Sequence, residues 1–383
     1  MRHPRLSRAQ HSIPWGLLGM LALAGAIEQS VIRGNPALRD RRSESWSQAA
    51  RHLKQAAPRR EILCFGDSMV KCGLLPRVFR ERTGRSALNL AVVGGSAPSS
   101  YFLLRRALDE GARPSTIVVD FNADLLTHEP ASTDRPFPWA HLVNFRVSLE
   151  LCRVARDPDL FAWISLARLF PSVKNRHDVR DYVKATLKTG RSDRGECVLL
   201  LYRNWNFNHG AMLDPKRPFQ DSPAPPATLP LTSTWRPGPV NEHFFHEFLD
   251  LAARHRIPVV WLLPPFSPGT QLLYEYQGIE SRFEDFIRRQ SARHPNFVLL
   301  DARHAGFEAS VFHDAVHLDR DGALALSDAV ADFLRQYTPV PANTTRWVTL
   351  RTFRKPPSAV PIKDLGQSLV AIQKLGANET VRR

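Results

Sequence analysis

The stretch Ile62-Leu63-Cys64-Phe65-Gly66-Asp67-Ser68 decides the fold and carries the first candidate for chemistry. Its apolar half is a short run between polar residues and a glycine, which predicts a buried β-strand. Gly66 permits a tight turn, which places the Ser68 hydroxyl at the carboxyl end of the strand. Open α/β sheets bind their ligands at that edge, so Ser68 is a candidate nucleophile. The same residues also fit an ordinary turn in which Ser68 caps a helix.

Strands and helices alternate along the rest of the chain. Apolar or β-branched runs predict strands at residues 62–65, 87–93, 116–121, 259–263 and 297–300. Amphipathic runs predict helices at residues 74–83, 99–110, 241–255, 272–293 and 321–336. Such alternation implies a mostly parallel sheet with helices on both faces. We therefore predict the α/β class, with a three-layer, doubly wound, five-stranded parallel sheet of the flavodoxin-like type.

The alternation is interrupted between residues 128 and 239. This stretch contains amphipathic patches and a Pro-rich segment, and it predicts a mainly helical or irregular insertion within one domain of residues 61–337. Residues 28–60 are polar and basic, and we interpret them as a connector. Residues 338–383 form a basic tail without a strong period, which predicts partial disorder.

The N-terminus predicts export or membrane attachment. An uncharged, mostly apolar run at residues 13–27 follows Arg2, Arg5 and Arg8. The run is short for a membrane span and long enough for a signal peptide, and Ala24-Gly25-Ala26 resembles a cleavage site. Residues 1–27 are therefore a removed signal peptide or an uncleaved anchor, a third reading being a buried helix. We expect a single-pass protein of the cell membrane or one exported to the extracytoplasmic side.

The chain is strongly basic, with a formal net charge of +15 at pH 7. The charge could match nucleic acid, lipid headgroups or an acidic polymer, or it could reflect arginines spread over the surface. No nucleic-acid-binding motif accompanies it, which favours the second interpretation and predicts no nucleic-acid partner. Four cysteines are too few for a disulfide scaffold, although Cys152 and Cys197 could pair in an exported chain. The oligomeric state is not indicated.

A second candidate for chemistry, His313-Asp314-Ala315-Val316-His317, stands between the last predicted strand and the last predicted helix. A serine nucleophile needs a base to take its proton, and the base needs an orienting carboxylate. His317 can be that base, and Asp314 can hold its imidazole. The alternatives are a solvated loop with a surface histidine, or a metal site built from His313, Asp314 and His317. No further ligand cluster accompanies the second alternative.

Together, the two motifs resemble the SGNH/GDSL hydrolases, which place Gly-Asp-Ser after the first strand and Asp-x-x-His after the last. Asn89-Leu90-Ala91-Val92-Val93-Gly94 is similar to the second block of that family. The resemblance covers about residues 60–126 and 240–336. It implies a triad of Ser68, Asp314 and His317, and an oxyanion hole that includes the backbone N–H groups of Ser68 and Gly94.

The third block departs from the family pattern. The family has Gly-x-Asn-Asp after the third strand, and its Asn side chain donates to the oxyanion. This chain has Val119-Asp120-Phe121-Asn122-Ala123-Asp124, and alignment on the strand puts Asp124 where the family has Asn. An ionised carboxylate cannot donate a hydrogen bond, so we predict that Asn122 is the third donor.

The resemblance implies a serine esterase that needs no cofactor and no metal and acts through an acyl-serine intermediate on a small ester or an acylated glycan. The order Ser, Asp, His favours hydrolysis. One alternative is an O-acyltransferase for an envelope or exported polysaccharide. Another is a degenerate domain that binds a glycan or a partner without turnover. Residues 202–210 of the insertion interleave aromatic and amide side chains, which fits either a sugar-facing surface or a loop held by buried rings.

Overall fold

The computed structural model describes residues 15–33, 41–130, 138–175, 179–180, 184, 187, 194–216, 219, 221, 235–294, 297–337, 346–350, 353 and 360–371. Within these residues, six parallel strands form one sheet in the order β2-β1-β3-β4-β5-β6. The strands are β1 (Ile62–Phe65), β2 (Ala87–Asn89), β3 (Thr116–Val119), β4 (Val259–Leu263), β5 (Phe297–Asp301) and β6 (Arg346–Thr349). The order of the first five is compatible with a flavodoxin-like sheet.

The described helices include those that cover the two faces of the sheet, those of the insertion and an N-terminal helix. They are α1 (Trp15–Arg33), α2 (Arg41–Gln55), α3 (Ser68–Gly73), α4 (Pro76–Thr83), α5 (Ala97–Asp109), α6 (Ala123–Thr127), α7 (Trp139–Leu142), α8 (Phe145–Ala155), α9 (Pro158–Leu169), α10 (Pro171–Lys174), α11 (Arg194–Phe207), α12 (Pro239–Arg254), α13 (Pro268–Tyr276), α14 (Ile279–Arg293) and α15 (Arg320–Gln336). Short 3₁₀ turns occupy Ala57–Arg59 and Ala309–Val311.

Alternate strand residues point into two separate hydrophobic cores. On β1, Leu63 and Phe65 pack with α2, α5, α12 and α14, whereas Ile62 and Cys64 pack with α3, α4 and α15. This follows from the two-residue period of a strand. A strand that is buried on both faces must be apolar throughout, which is why β1 reads as a continuous apolar run. The predicted α/β class with three layers is therefore confirmed.

The predicted number of strands is wrong, because β6 adds a sixth at the edge beyond β5. It lies in the segment that we interpreted as a tail, and Val298 to Asp301 of β5 pair with its four residues. Trp347 packs against one core, and the guanidinium of Arg288 lies 4.7 Å from the centre of its ring. Only Trp347 and Val348 of its four residues are apolar, and the strand lies in a basic, Pro-containing segment, so no apolar run marks it. Further along, Val360 and Ile362 are buried in the other core.

The interpretation of residues 28–60 as a connector also needs correction. Trp46, Ala49 and Leu53 of α2 are buried in a core, and the Trp46 indole N–H donates to the Val93 carbonyl at 3.0 Å. These apolar residues recur every three or four positions, which is the spacing of a buried helical stripe. The charged residues between them obscured that stripe in the composition of the segment.

The first helix, α1, stays outside the cores formed by the described residues. Trp15, Met20, Leu21 and Leu23 are each at least 60% exposed. Its contact with the domain includes the Glu28 carboxylate, which accepts from the Ser172 N–H at 3.0 Å. Among the described helices, none combines the length and the apolar character that a membrane crossing requires.

The described parts of the insertion are largely helical and include α7 to α11. In α11, Trp205 is fully buried with Leu201 and Met212 against Cys72 of α3. This favours a loop held by buried rings over a sugar-facing surface for this part of residues 202–210. Cys152 is a free, buried thiol, so the disulfide suggested for an exported chain is not present.

Candidate active site

The turn after β1 projects Ser68 from the carboxyl edge of the sheet. Gly66 has φ +134°, and a Cβ at this position would lie 3.2 Å from the Asp120 carbonyl oxygen, so only glycine fits without strain. The Asp67 carboxylate then accepts from the Met69 N–H at 2.7 Å and caps α3. Ser68 is consequently the first residue of a helix whose N-terminus carries the partial positive charge of the helix dipole.

The predicted partners of Ser68 lie in a short loop between β5 and α15. His317 Nε2 lies 2.8 Å from Ser68 Oγ, and His317 Nδ1 lies 2.8 and 2.9 Å from the two Asp314 carboxylate oxygens. Pairing of Phe312 with Leu318 closes the base of the loop. The sequence-predicted juxtaposition is therefore present, with every link at hydrogen-bond distance.

The local environment keeps Asp314 ionised. Burial acts to raise the pKa of Asp314, but the hydrogen bond and positive charge of His317 and the backbone N–H groups of Val316 and His317 outweigh it. The pKa of this carboxyl therefore falls well below its usual range. Asp314 thus orients the imidazole with Nε2 towards Ser68 and stabilises a positive charge on His317.

The loop after β2 lies directly on the turn that holds Gly66 and Ser68. The Val92 N–H donates to the Gly66 carbonyl at 3.1 Å, and a Cβ on Gly95 would lie 2.4 Å from the same oxygen. Gly94 has φ +66°, a left-handed conformation that favours glycine. Within the described part of the chain, no protein acceptor takes the backbone N–H of Ser68 or Gly94. Both groups are therefore available to an oxyanion.

Asn122 follows β3 at the same edge of the sheet. Its side-chain oxygen accepts from the Asp124 N–H at 2.8 Å and caps α6, which turns the amide nitrogen towards the Met69 sulfur at 3.0 Å. The amide N–H₂ group thus lies beside the residue that follows Ser68. Burial raises the pKa values of Asp67 and Tyr274, and the nearby charge of Asp124 raises both further. Asn122 thus presents a side-chain amide donor at this edge of the sheet, and its role as the third donor stays a prediction.

Sequence reasoning missed two buried carboxyl groups beneath Ser68. Asp67 and Asp120 are each 4% exposed, and neither Asp120 carboxyl oxygen has a hydrogen-bond partner among the described residues. Burial, opposed by the Met69 N–H and the charge of His317, raises the pKa of Asp67 to about 6. Burial and the charge of Asp67 raise the pKa of Asp120 well above its usual value. The position of Asp120 directly after a buried strand was the available signal.

A small cavity of about 20 Å³ opens beside Asn122 and Asp120. Its remaining lining is mostly apolar and comprises Ala123, Leu263, Pro264, Phe266, Gln271, Tyr274, Ile279, Glu280, Phe283 and Arg303. A space of this size holds a water molecule or a group of a few atoms. The cavity is therefore suited to a short side group of a bound molecule.

The predicted alternative of a metal at His313, Asp314 and His317 is poorly matched, because both ring nitrogens of His317 are already engaged. Among the described residues, Glu275, Glu280 and His304 bring three possible ligand atoms together. Arg303 also binds the Glu280 carboxylate at 2.8 Å, and its positive charge opposes a cation there.

Comparison with known proteins adds no relative: no family model matches this chain, and no curated protein matches it.

Proposed function

We propose that the protein is an SGNH/GDSL-type serine hydrolase that cleaves ester bonds through an acyl-serine intermediate. The observation that carries the proposal is the hydrogen-bonded chain from Ser68 Oγ through the His317 imidazole to the Asp314 carboxylate. A helix N-terminus at the serine, free backbone N–H groups and a nearby amide supply further support.

The reaction would proceed in two steps, acylation of Ser68 and hydrolysis of the acyl-serine. His317 Nε2 takes the proton of Ser68 Oγ as that oxygen bonds to the ester carbonyl carbon, and the carbonyl electrons move to its oxygen. The N–H groups of Ser68 and Gly94 and the Asn122 amide hold the oxyanion. The tetrahedral centre then collapses, and the alcohol leaves with the proton from His317. Water repeats the sequence on the acyl-serine, releasing the carboxylic acid and restoring Ser68.

We propose a small ester or an acylated glycan as the substrate. The cavity beside Asn122 supports an acyl group of few atoms, because it adjoins the proposed oxyanion donor and is small. A sugar hydroxyl in place of water in the second step would make the protein an O-acyltransferase. Turnover of a small acetyl ester with and without an added oligosaccharide acceptor distinguishes the two: hydrolysis releases acetate in both, whereas transfer moves the acetyl group to the sugar.

A fluorophosphonate probe tests the serine chemistry directly. We expect the full-length chain to be labelled once, with mass spectrometry placing the adduct on Ser68. Ser68→Ala should remain unlabelled, and Ser281→Ala, at an exposed serine of α14, should react as the natural chain does. Absence of labelling in the folded natural chain would sink the proposal and favour a domain that binds without turnover.

We further propose that residues 1–27 direct the chain to the membrane or beyond it. Support comes from the three N-terminal arginines and the apolar run that follows them. N-terminal sequencing of protein from a membrane fraction tests this. A start at Met1 indicates an anchor and a start near Ile27 indicates cleavage, whereas soluble cytoplasmic protein that starts at Met1 would contradict both.

A further inference from the structure

A second concave surface lies at the β2 edge of the sheet. Arg77 and Arg80 of α4 and His209 of the insertion line a cavity of about 350 Å³, together with Glu81, Gly84, Val360 and Pro361. The guanidinium of Arg60 lies close to this cavity, since its charge acts on His209 and the charge of Arg80 acts on it. Burial and the neighbouring arginines lower the pKa of His209 to about 4, so its imidazole is neutral at pH 7 and can donate one N–H. We call this surface, defined by Arg60, Arg77, Arg80 and His209, the basic cleft.

The arginines of the basic cleft form no close ion pair with an acid, although Glu81 belongs to the same lining. Elsewhere, arginines meet carboxylates, as Arg82 meets Asp328 and Arg105 meets Glu150. Within the described residues, Arg60, Arg77 and Arg80 have no carboxylate oxygen within 4 Å. Burial lowers the pKa of Arg60 and of Arg77, and the charge of Arg80 lowers both further. Like charges held together in a partly buried place store repulsion that a bound anion would relieve.

The Arg77 side chain is fixed in place rather than free in solvent. Its Nε donates to the Phe207 carbonyl, and its guanidinium lies 4.0 Å from the centre of the Phe207 ring. The Lys363 ammonium lies 4.6 Å from the same ring and adds another positive charge nearby. A guanidinium already held in one position loses little entropy when it binds an anion.

The chain positions His209 with local strain. His209 has φ +51°, and its carbonyl accepts from the Asn89 N–H at 3.0 Å. The next residue must be glycine, because a Cβ on Gly210 would lie 2.1 Å from the Asn89 carbonyl oxygen. Residues with unfavourable backbone angles concentrate at binding sites, where the surrounding structure imposes them. The tight turn thus brings a potential N–H donor to the wall of the basic cleft.

We propose that the basic cleft binds the phosphoryl group of a phosphate-bearing ligand. Guanidinium groups match phosphate oxygens in planar, paired hydrogen bonds, and two arginines with a histidine can surround one such group. The volume admits a phosphoryl group with a small attached moiety. The site is separate from the Ser68 residues, so it adds an anion-recognition function to the proposed hydrolase and does not depend on its activity.

Calorimetric titration of the full-length chain with pyrophosphate at low salt tests the proposal. We expect binding that Arg80→Gln weakens by about tenfold or more, since a hydrogen bond to a charged group contributes that much. Arg80 is exposed, so its replacement should leave folding intact. Arg254→Gln, at an exposed arginine of α12, should bind as the natural chain does. No binding up to about 10 mM pyrophosphate, or equal weakening in the two variants, would overturn the proposal.

A second measurement separates free phosphate compounds from lipid headgroups. Vesicles of phosphatidylglycerol and of phosphatidylcholine are sedimented with the natural chain and with Arg80→Gln, in each case with and without pyrophosphate. A headgroup ligand predicts binding to the anionic vesicles alone, lost in Arg80→Gln and displaced by pyrophosphate. A soluble ligand predicts pyrophosphate binding without Arg80-dependent sedimentation. Anionic-vesicle binding that neither Arg80→Gln nor pyrophosphate reduces would contradict a phosphoryl site in the basic cleft.

Discussion

Two carboxylate-containing regions flank Ser68, and they behave in opposite ways. Asp314 sits in a partly exposed loop beside His317, and that partner holds its pKa well below the usual range. Asp67 and Asp120 lie beneath the serine, and burial raises both of their pKa values, although the charge of His317 opposes the rise for Asp67. Aspartate thus has two roles around Ser68. Asp314 is ionised and orients the proposed base, whereas Asp67 and Asp120 resist ionisation.

The difference also reverses how pH acts on folding. The Asp314 interaction stabilises the fold above the ordinary pKa of 3.8 and is lost as the pH falls through the lowered folded value. The contribution of Asp67 and Asp120 is fully present below 3.8 and is lost as the pH rises through their raised folded values, the first being about 6. The proposed catalysis needs Asp314 to be ionised. The pH range in which Asp314 is ionised includes the range in which Asp67 and Asp120 destabilise the fold.

Removal of the proposed base, His317, should have the largest effect on activity. His317→Ala should lower kcat for a small acetyl ester by about 10⁵- to 10⁶-fold, because Ser68 then lacks a proton acceptor. Steady-state kinetics with a chromogenic acetate measures it. The matched control is His255→Ala, at an exposed histidine after α12, which should keep full activity. Retention of more than about a tenth of the activity by His317→Ala would remove His317 from the mechanism.

Replacing the orienting carboxylate should have the next largest effect. Asp314→Asn keeps the shape of the side chain but permits the wrong imidazole tautomer, so kcat should fall by about 10³- to 10⁴-fold with little change in KM. Asp332→Asn, at a half-exposed carboxylate of α15 that pairs with Arg335, serves as the control. A loss confined to KM would show that Asp314 shapes substrate binding and not the base.

The third oxyanion donor is expected to matter less. Asn122→Ala should lower kcat by about 100- to 1000-fold, because one donor to the oxyanion is lost. Asp124→Asn should be tolerated, because the Asn122 side chain accepts from the backbone N–H of residue 124, which the substitution leaves unchanged. If Asp124→Asn instead raises activity well above that of the natural chain, alignment on the strand was right and the assignment to Asn122 is wrong.

The sequence was informative where a local pattern has one structural meaning. Apolar runs of full strand length and the motifs around Ser68 and His317 predicted the sheet edge and the hydrogen-bonded groups, because parallel strands share that edge. The α2 stripe was hidden among charged residues, and only two of the four residues of β6 are apolar. The environment of Asp120 and the unpaired arginines of the basic cleft arise from contacts between distant segments. Burial and pairing of that kind are tertiary properties, and no local pattern encodes them.

The smallest expected effect is on stability, and it tests the buried carboxyl group of Asp120. Asp120→Asn replaces a buried carboxyl by a neutral group of the same shape, and the Asp120 oxygens have no hydrogen bonds to lose within the described residues. Between the ordinary pKa of 3.8 and its raised folded value, Asp120 binds a proton in the folded state that the unfolded chain has released. Each pH unit in that interval therefore costs the natural chain up to about 1.4 kcal/mol. The variant should escape this loss, so its advantage in free energy of unfolding should grow as the pH rises above 3.8 towards the raised folded pKa of Asp120.

Urea unfolding at several pH values measures the slope, with Asp109→Asn, at an exposed carboxylate of α5, as the control. Parallel slopes for the natural chain and Asp120→Asn would mean that Asp120 titrates alike in the folded and unfolded states. In that case a cation or a water network must compensate its charge beneath Ser68, and the contrast between the buried and the partly exposed carboxylates would not hold.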